Sequence, residues 1–406
     1  MIPAVLRRRH FRTVLAATIT SNAGTWLQVV ASGWLMYELT RSPAAVGALT
    51  LVTRAPAFLL SPYAGQIADR FDRRRVGMLA FSAQALGAGG LALTSWTGHI
   101  SPITLYALNF VIGCAYALGL PAMLALVPSL VERSLLAQAV SLNAAGVNVA
   151  RLIGPAIGGA VLATFGATAC FGLDALSFLA MVLALSRVPE NRSPRTERGT
   201  GLREAAAYGW RDPAMRRLLL GMAIFTMLAS PVQELAPVVA HQIGVGPRGL
   251  GFLLGAMGGG GLLGAWLLER LGAHGLTRHR ALPIANVSFA VGMALVAFAP
   301  ALWLGMAAML VSGVFWIWMF AGTNTAIQLR APRRLLGRML GLYQWSVVAP
   351  VATGSAVAGV LAEHIGITGA LLSCAAILGS YGLWCLWRPV PEIDAPPDER
   401  VSASYR

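Results

Sequence analysis

From Val76 to Leu130 the sequence contains no Asp, Glu, Lys or Arg. This run follows directly on Asp69-Arg70-Phe71-Asp72-Arg73-Arg74-Arg75, where two carboxylates and four guanidiniums crowd into seven residues. Upstream, Val46 to Ile67 carries one charge, Arg54. A bilayer span takes roughly 20 predominantly apolar residues, so the uncharged run is long enough for two spans. The basic stretch then reads as a tight turn between membrane helices, facing the cytoplasm. Lipid offers a backbone no hydrogen bonds, so the expected fold class is an all-α membrane protein.

The remaining chain follows the same plan. Of 406 residues, 56% are hydrophobic and 12% charged, which places the chain among integral membrane proteins, and its length accommodates about twelve helices. The expected spans lie near 13–38, 46–68, 76–97, 103–127, 140–165, 167–187, 216–242, 248–270, 281–299, 301–327, 340–362 and 367–388. In a soluble protein the net charge of +15 would suggest nucleic acid; here its placement matters more, and no nucleic-acid partner is expected. All 31 basic residues are Arg; with these spans, twenty-seven fall in alternate loops on one side and only Arg41 and Arg248 on the other. Arg54 and Arg151 lie inside spans. By the positive-inside rule both termini are cytoplasmic, and an error of one span would reverse the bias along the rest of the chain. The basic Met1 to Arg12 segment shows no small-residue cleavage site and is read as mature protein. Cys114, Cys170, Cys374 and Cys385 sit in apolar runs without metal-ligand or disulfide spacing, and are read as packing residues.

Residues 189–215, rich in Arg, Glu, Ser, Pro and Gly, read as a cytoplasmic linker between bundles at 1–188 and 216–390, with a cytoplasmic tail at 391–406. Within the linker, Leu202 to Trp210 reads either as a short amphipathic helix on the membrane surface or as a loose tether. A displacement of 200 positions aligns Asp69-Arg70 with Glu269-Arg270, and Arg133, Leu135, Leu136 and Leu142 with Arg333, Leu335, Leu336 and Leu342. It also aligns Gly154, Gly159 and Gly166 with Gly354, Gly359 and Gly366. Six spans before the linker and six after it then form two pseudo-symmetric bundles of parallel topology, with a substrate route between them.

Ionisable groups inside spans usually face a bundle interior or a wet cavity. Asp174, Glu234, Arg151 and Arg54 are therefore the coupling candidates, and Glu38 reads as interfacial. A carboxylate held by Arg54 or Arg151 would stay charged, whereas one alone in an apolar cleft can carry a proton. Glu234 lies between Pro231 and Pro237, where a bent, cavity-lining helix is expected. Thr18, Ser21, Thr25, Gln28 and Ser32 share one face of the first span, with Asn22 at its edge. Thr226, Ser230, Gln233 and Pro237 repeat the spacing in the seventh. Asn22, Thr25, Gln28, Gln233 and Trp316, the last from Phe315-Trp316-Ile317-Trp318, are the expected substrate-facing residues; hydroxyls bonding back to their own helix are the plainer alternative for Thr and Ser. Gly65 is expected to admit a neighbouring helix. Asp69, poorly placed at its own helix C-terminus, is expected to latch onto the helix start near Gly337 and Arg338, or else to order its own loop through Arg70, Arg73 or Arg74.

The stretch from Gly65 to Arg75 resembles the signature between the second and third spans of the major facilitator superfamily. Ala150-Arg151-Leu152-Ile153-Gly154-Pro155-Ala156-Ile157-Gly158-Gly159 resembles the antiporter signature of its drug exporters, with Ala150 in place of the usual first Gly. Asn22 to Gln28 with Trp34-Leu35, Arg54-Ala55-Pro56 and Gly337-Arg338 are similar to the branch containing enterobactin exporters and macrolide efflux proteins. The resemblance implies proton-driven export of a siderophore or drug-like molecule from a bacterial inner membrane, by alternating access. The fourth span, Asn109 to Pro121, lacks the arginine that many drug-proton antiporters carry there. An importer, lipid flippase or sensor on the same fold is the alternative. No phosphate loop, metal-ligand spacing or hydrolase motif occurs, so no enzymatic activity, metal or cofactor is expected beyond a coupling ion, H+, and a monomer is expected.

Overall fold

The computed structural model describes residues 4–190, 201–332, 334–390 and 393, of which 61, 62, 68, 69, 201 and 202 are described by their backbone alone. Among these residues the regular structure is helical: α1 Arg9–Thr40, α2 Pro43–Arg70, α3 Arg73–Trp96, α4 Pro102–Ser129, α5 Leu136–Ser186, α6 Gly201–Arg211, α7 Pro213–Ala229, α8 Pro231–Glu234, α9 Ala236–Gln242, α10 Pro247–Ala273, α11 Arg278–Ala297, α12 Leu302–Arg330 and α13 Leu336–Trp387. Nine helical stretches among the described residues are long and apolar enough to cross a membrane. Two of these double back on themselves, and α1 is a further helix of 32 residues. The fold is an all-α membrane protein.

Short polar turns start the helices. Ser42 accepts from Ala45 N at 3.0 Å with Pro43 as first helical residue, and Ser101 accepts from Thr104 N at 3.2 Å ahead of Pro102. Asp72 caps α3 through Arg74 N at 2.9 Å. Such caps satisfy donors that the helix itself leaves open, and proline at the first position gives up none that is needed.

The repeat at 200 residues has a physical basis in these helices. Gly166 (φ 77°, ψ 178°) interrupts α5 and Gly366 (φ 75°, ψ 161°) interrupts α13. Only glycine adopts that backbone region readily, so each long helix turns sharply there and supplies two segments. Close helix contacts recur at the same offset. A Cβ on Gly113 of α4 would strike the Thr53 carbonyl of α2, and one on Gly313 of α12 would strike the Met257 carbonyl of α10. Gly154 lies against Trp26 of α1, and Gly354 against the Met227 carbonyl of α7. That carbonyl is the one a donor at position 231 would reach; Pro231 has none, and the seventh span breaks there into α7, α8 and α9.

The chain divides into two compact units. The first is Met1–Glu197 with Ala240–Gly255, and the second is Arg198–Val239 with Ala256–Arg406. In the first, α1 packs on α5, α2 on α4, and α3 against both α4 and α5. In the second, α7 packs on α13 and α11 on α12 and α13, while Gly260 and Gly264 of α10 fit closely against Leu310 and Val314 of α12. The outward surfaces carry large apolar side chains such as Leu86 (78% exposed), Ile103 (79%) and Trp303 (68%), as lipid contact requires.

Helix α6 docks on the second unit instead of lying free on a surface. Its Ala205 and Tyr208 are buried, and the Tyr208 hydroxyl donates at 3.4 Å to Asp212 Oδ2, with Arg330 O also at 3.4 Å. Asp212, buried, caps α7 by accepting from Ala214 N at 2.9 Å and Met215 N at 3.0 Å. It also accepts from Arg330 Nε, at 3.0 Å on Oδ1 and 2.9 Å on Oδ2. Glu204 faces Arg334 at 3.0 Å and Arg338 at 3.9 Å. One aspartate thus joins the linker helix, α7 and the end of α12. Removing one member of a buried ion pair leaves the other uncompensated, so Asp212→Ala should lose about 3–5 kcal/mol. Thermal unfolding of the purified protein in detergent measures this, and an unchanged midpoint would show that the pair contributes nothing.

Candidate functional site

In the first unit, polar groups gather where α1, α2, α4 and α5 meet. Asp174, in the second segment of α5, is fully buried. Ser177 Oγ donates to its backbone carbonyl at 2.8 Å and lies 3.4 Å from Oδ1; Oδ2 has no hydrogen-bond partner among the described residues. The ion pair with Arg54 or Arg151 weighed from the sequence does not form there. Asp174 lies instead against Gly24 of α1, where a Cβ would stand 2.8 Å from Oδ1. A buried carboxyl with an orphaned oxygen and no cation is costly to hold charged.

Arg54 of α2 and Arg151 of α5 both act electrostatically on the Tyr116 hydroxyl of α4. Arg54 is half-buried, Arg151 is exposed and Tyr116 is 50% exposed. Both guanidiniums, from different helices, are therefore within electrostatic range of one phenol. Tyr116 was not singled out from the sequence, where one tyrosine in an apolar span carries no signal.

The polar stripe of α1 is largely spent inside the protein. Thr18 donates to Val14 O and Thr25 to Ser21 O, both at 2.9 Å, as the plainer alternative has it for hydroxyls, and Asn22 Nδ2 donates to Thr18 O at 2.8 Å. Gln28, expected to face the route, is 2% exposed and donates to Asn109 Oδ1 of α4 at 2.8 Å; Asn109 Nδ2 donates to Leu105 O at 2.8 Å. In the second unit Gln233 is half-buried, and Thr226 and Ser230 are buried with bonds to Ser346 O and Ser355 Oγ of α13. Trp316, also expected to face cargo, is 8% exposed within a ring cluster, stacked on Phe320 at 4.9 Å and tilted against Phe225 at 5.6 Å. Glu234 is half-buried on the broken segment α8, and Glu38 is exposed.

The antiporter-like stretch serves two contacts at once. Gly154 and Gly158 lie against Trp26 and Leu27 of α1, while a Cβ on Gly159 would meet Pro247 O at 2.5 Å and the Gly251 Cα of α10 at 2.7 Å. The carbonyl of Pro155 also faces Gly251. In the same unit His241 of α9 stacks on Trp34 at 3.9 Å and meets Tyr37 edge-on at 4.7 Å.

At the basic turn, Arg73 Nη1 reaches Ala125 O at 3.4 Å, Arg74 Nη2 donates to Ser186 O at 2.8 Å, and Arg75 pairs with Glu190 at 2.6 Å. These arginines tie α3 to α4 and to the end of α5. Arg70 is exposed. Gly65 corrects its expectation: a Cβ there would meet nothing within 4 Å, so no described helix exploits its missing side chain. Arg338 faces Glu204, and the side chain of Asp69, with the latch built on it, lies outside the described residues.

Residues 3–404 match the family model described as transmembrane secretion effector. The chain belongs to this family of the major facilitator superfamily. Members are membrane transporters and not enzymes, and the chain is a multi-pass membrane protein. It is similar to the enterobactin exporter EntS of Salmonella choleraesuis (strain SC-B67), at 28% identity covering 92% of this chain and 89% of that protein. It is similar also to the EntS of Escherichia coli O1:K1 / APEC, at 29% identity covering 86% and 84%. Among solved structures, a bacterial homolog of the human lysosomal transporter Spinster, inward-facing and occupied, matches with a TM-score of 0.76 at 13% identity, covering 97% and 99%. A POT family transporter in complex with 5-aminolevulinic acid also gives 0.76, at 13% identity, covering 95% and 96%. At such identities these structures speak for the fold alone.

The Gln28 and Asn109 amides yield a test of the site's packing. Leaving one buried amide without its partner costs about 1–3 kcal/mol, so Gln28→Leu and Asn109→Leu should each lower the thermal midpoint, whereas the double variant should recover part of the loss. Additive losses would show that the two do not interact.

Proposed function

We propose that this chain exports a small organic molecule of the siderophore class out of the cytoplasm by alternating access, in antiport with protons. The observation that carries this reading is similarity to enterobactin exporters along most of the chain. The first unit is consistent with it: Arg54, Arg151 and Tyr116 suit a cargo with anionic or hydroxylated aromatic rings, since guanidiniums pair with oxyanions and stack on ring faces.

Asp174 is the group to which we assign the proton. It has no carboxylate-pairing cation among the described residues, it lies against α1, and Gly24 leaves it room. Gain or loss of a proton changes how well the contact between α1 and α5 tolerates that carboxyl, which is how protonation can bias a two-state bundle. Glu234, on the broken seventh span, is the second candidate. Asp69 is proposed as the cytoplasmic latch, and the basic loops are assigned to the cytoplasm. The transporter acts as a monomer with no cofactor.

Inverted membrane vesicles given labelled enterobactin test the proposal. An acid interior should drive uptake by the wild type. Asp174→Asn should abolish the response to the pH gradient while retaining exchange of cargo down its own gradient, and Asp69→Asn should slow both. Full pH-driven uptake by Asp174→Asn would remove Asp174 as the carrier. Wild-type uptake that ignores the gradient would exclude proton antiport, and enterobactin movement only in the opposite direction would favour the importer.

A further inference from the structure

Three helices of the second unit close on one another around two buried polar side chains. Gly322 of α12 lies against Leu282 of α11, where a Cβ would stand 2.9 Å from Leu282 Cδ2. Gly382 of α13 lies against Asn286, one turn further along α11, where a Cβ would stand 2.9 Å from Asn286 Cβ. Beside these contacts Asn286 is 3% exposed and Thr323 is 1% exposed. Both line a narrow cleft, together with Tyr381 of α13 and Met222 of α7. The Tyr381 hydroxyl adds a third polar group to the wall, beside Gly221 of α7, where a Cβ would stand 3.1 Å from it.

Neither Asn286 nor Thr323 completes its hydrogen bonds. Asn286 Nδ2 donates to Leu282 O at 3.1 Å, but its Oδ1 has no partner, nor has Thr323 Oγ1, among the described residues. Other buried hydroxyls of this unit bond back one turn, as Ser312 does to Ala308 O at 2.9 Å and Thr226 to Met222 O at 2.8 Å; Thr323 makes no such bond. Buried polar atoms are almost always satisfied, and an amide oxygen is satisfied only by a donor. The cleft has a cavity volume of about 30 Å³, and one water needs roughly 10–15 Å³. One or two waters fit, and a larger ligand does not. A sodium ion is also small enough, but Arg217 and Arg388 line the same cleft, and like charge disfavours a cation there.

We propose that this cleft binds ordered water, one or two molecules, which donates to Asn286 Oδ1 and bonds to Thr323 Oγ1, so joining α11 to α12. A bridging water is nearly as good in enthalpy as a direct bond. The site shares no residue with the cargo or proton assignments.

Pulsed X-ray radiolysis of the full-length wild type in detergent, with methionine oxidation read by mass spectrometry, tests this. Radiolysis of a held water releases hydroxyl radical beside its neighbours, so buried sulfur next to it is oxidised to the sulfoxide. Met222 (0% exposed) and Met319 (2%) line the cleft, while Met293 and Met309, both 0% exposed, lie on α11 and α12 outside it. Met222 and Met319 should oxidise several-fold faster than Met293 and Met309. After rapid mixing with isotopically labelled water, the label should reach the Met319 sulfoxide later than that of Met227, which is 38% exposed. Thr323→Val and Asn286→Leu should each slow oxidation of Met319, and the wild-type comparison stands should either variant not fold. Equal rates at the four buried methionines would overturn the site. Label reaching Met319 as fast as Met227 would show bulk solvent instead of held water, and suppression of Met319 oxidation when sodium replaces choline would show a cation in its place.

Discussion

A bilayer provides no hydrogen-bond partners, and that constraint governs nearly every feature of this protein. Backbone groups are satisfied by helices. Polar side chains turn inward to one another or to a carbonyl one helical turn back, as Gln28 does with Asn109 and Asn22 with Thr18. Helices must also approach closely, because hydrophobic burial does not drive association in lipid. Glycines make that approach possible, and they do so at equivalent places in both halves, at Gly113 and Gly313 and at Gly154 and Gly354.

Within such tight packing, an unsatisfied polar group stands out. Asp174 sits where α1 passes over α5, with one oxygen lacking a partner among the described residues. Asp212 represents the opposite solution: its carboxylate is consumed by two backbone donors and a guanidinium. One acid is arranged for permanence and the other is left with a choice. The arginines of the basic turn are likewise spent, on carbonyls and on Glu190.

Much of the fold was legible because lipid makes sequence patterns blunt. Charge-free runs set the helices, and the kinks at Gly166 and Gly366 fall where the 200-residue displacement pairs them. The break in the seventh span follows from Pro231 and Pro237. Less was legible about the site. A polar stripe on one helix does not reveal whether another helix holds its partner, so Gln28 and Asn109 could not be matched. Trp316 lies in a ring cluster built from α7, α11 and α12, which only the folded chain brings together. Asp212 was hidden for a different reason: it lies in a linker whose composition suggests solvent, and its partner Arg330 looked like one more charge of the cytoplasmic bias. Gly65 shows the converse, a motif glycine with no neighbour within 4 Å of its missing side chain among the described residues.

The whole account requires that the two halves have parallel topology, with their arginine-rich turns on one face of the membrane. Arg75→Cys and Arg334→Cys lie in turns of different halves, and Arg41→Cys and Arg248→Cys in the sparse loops; each is introduced singly after replacement of the four native cysteines. An impermeant maleimide should modify the first two only in inverted vesicles and the last two only in intact cells. Labelling of Arg75→Cys and Arg334→Cys from opposite sides would contradict the topology, and with it the route between two bundles on which the transport reading is built.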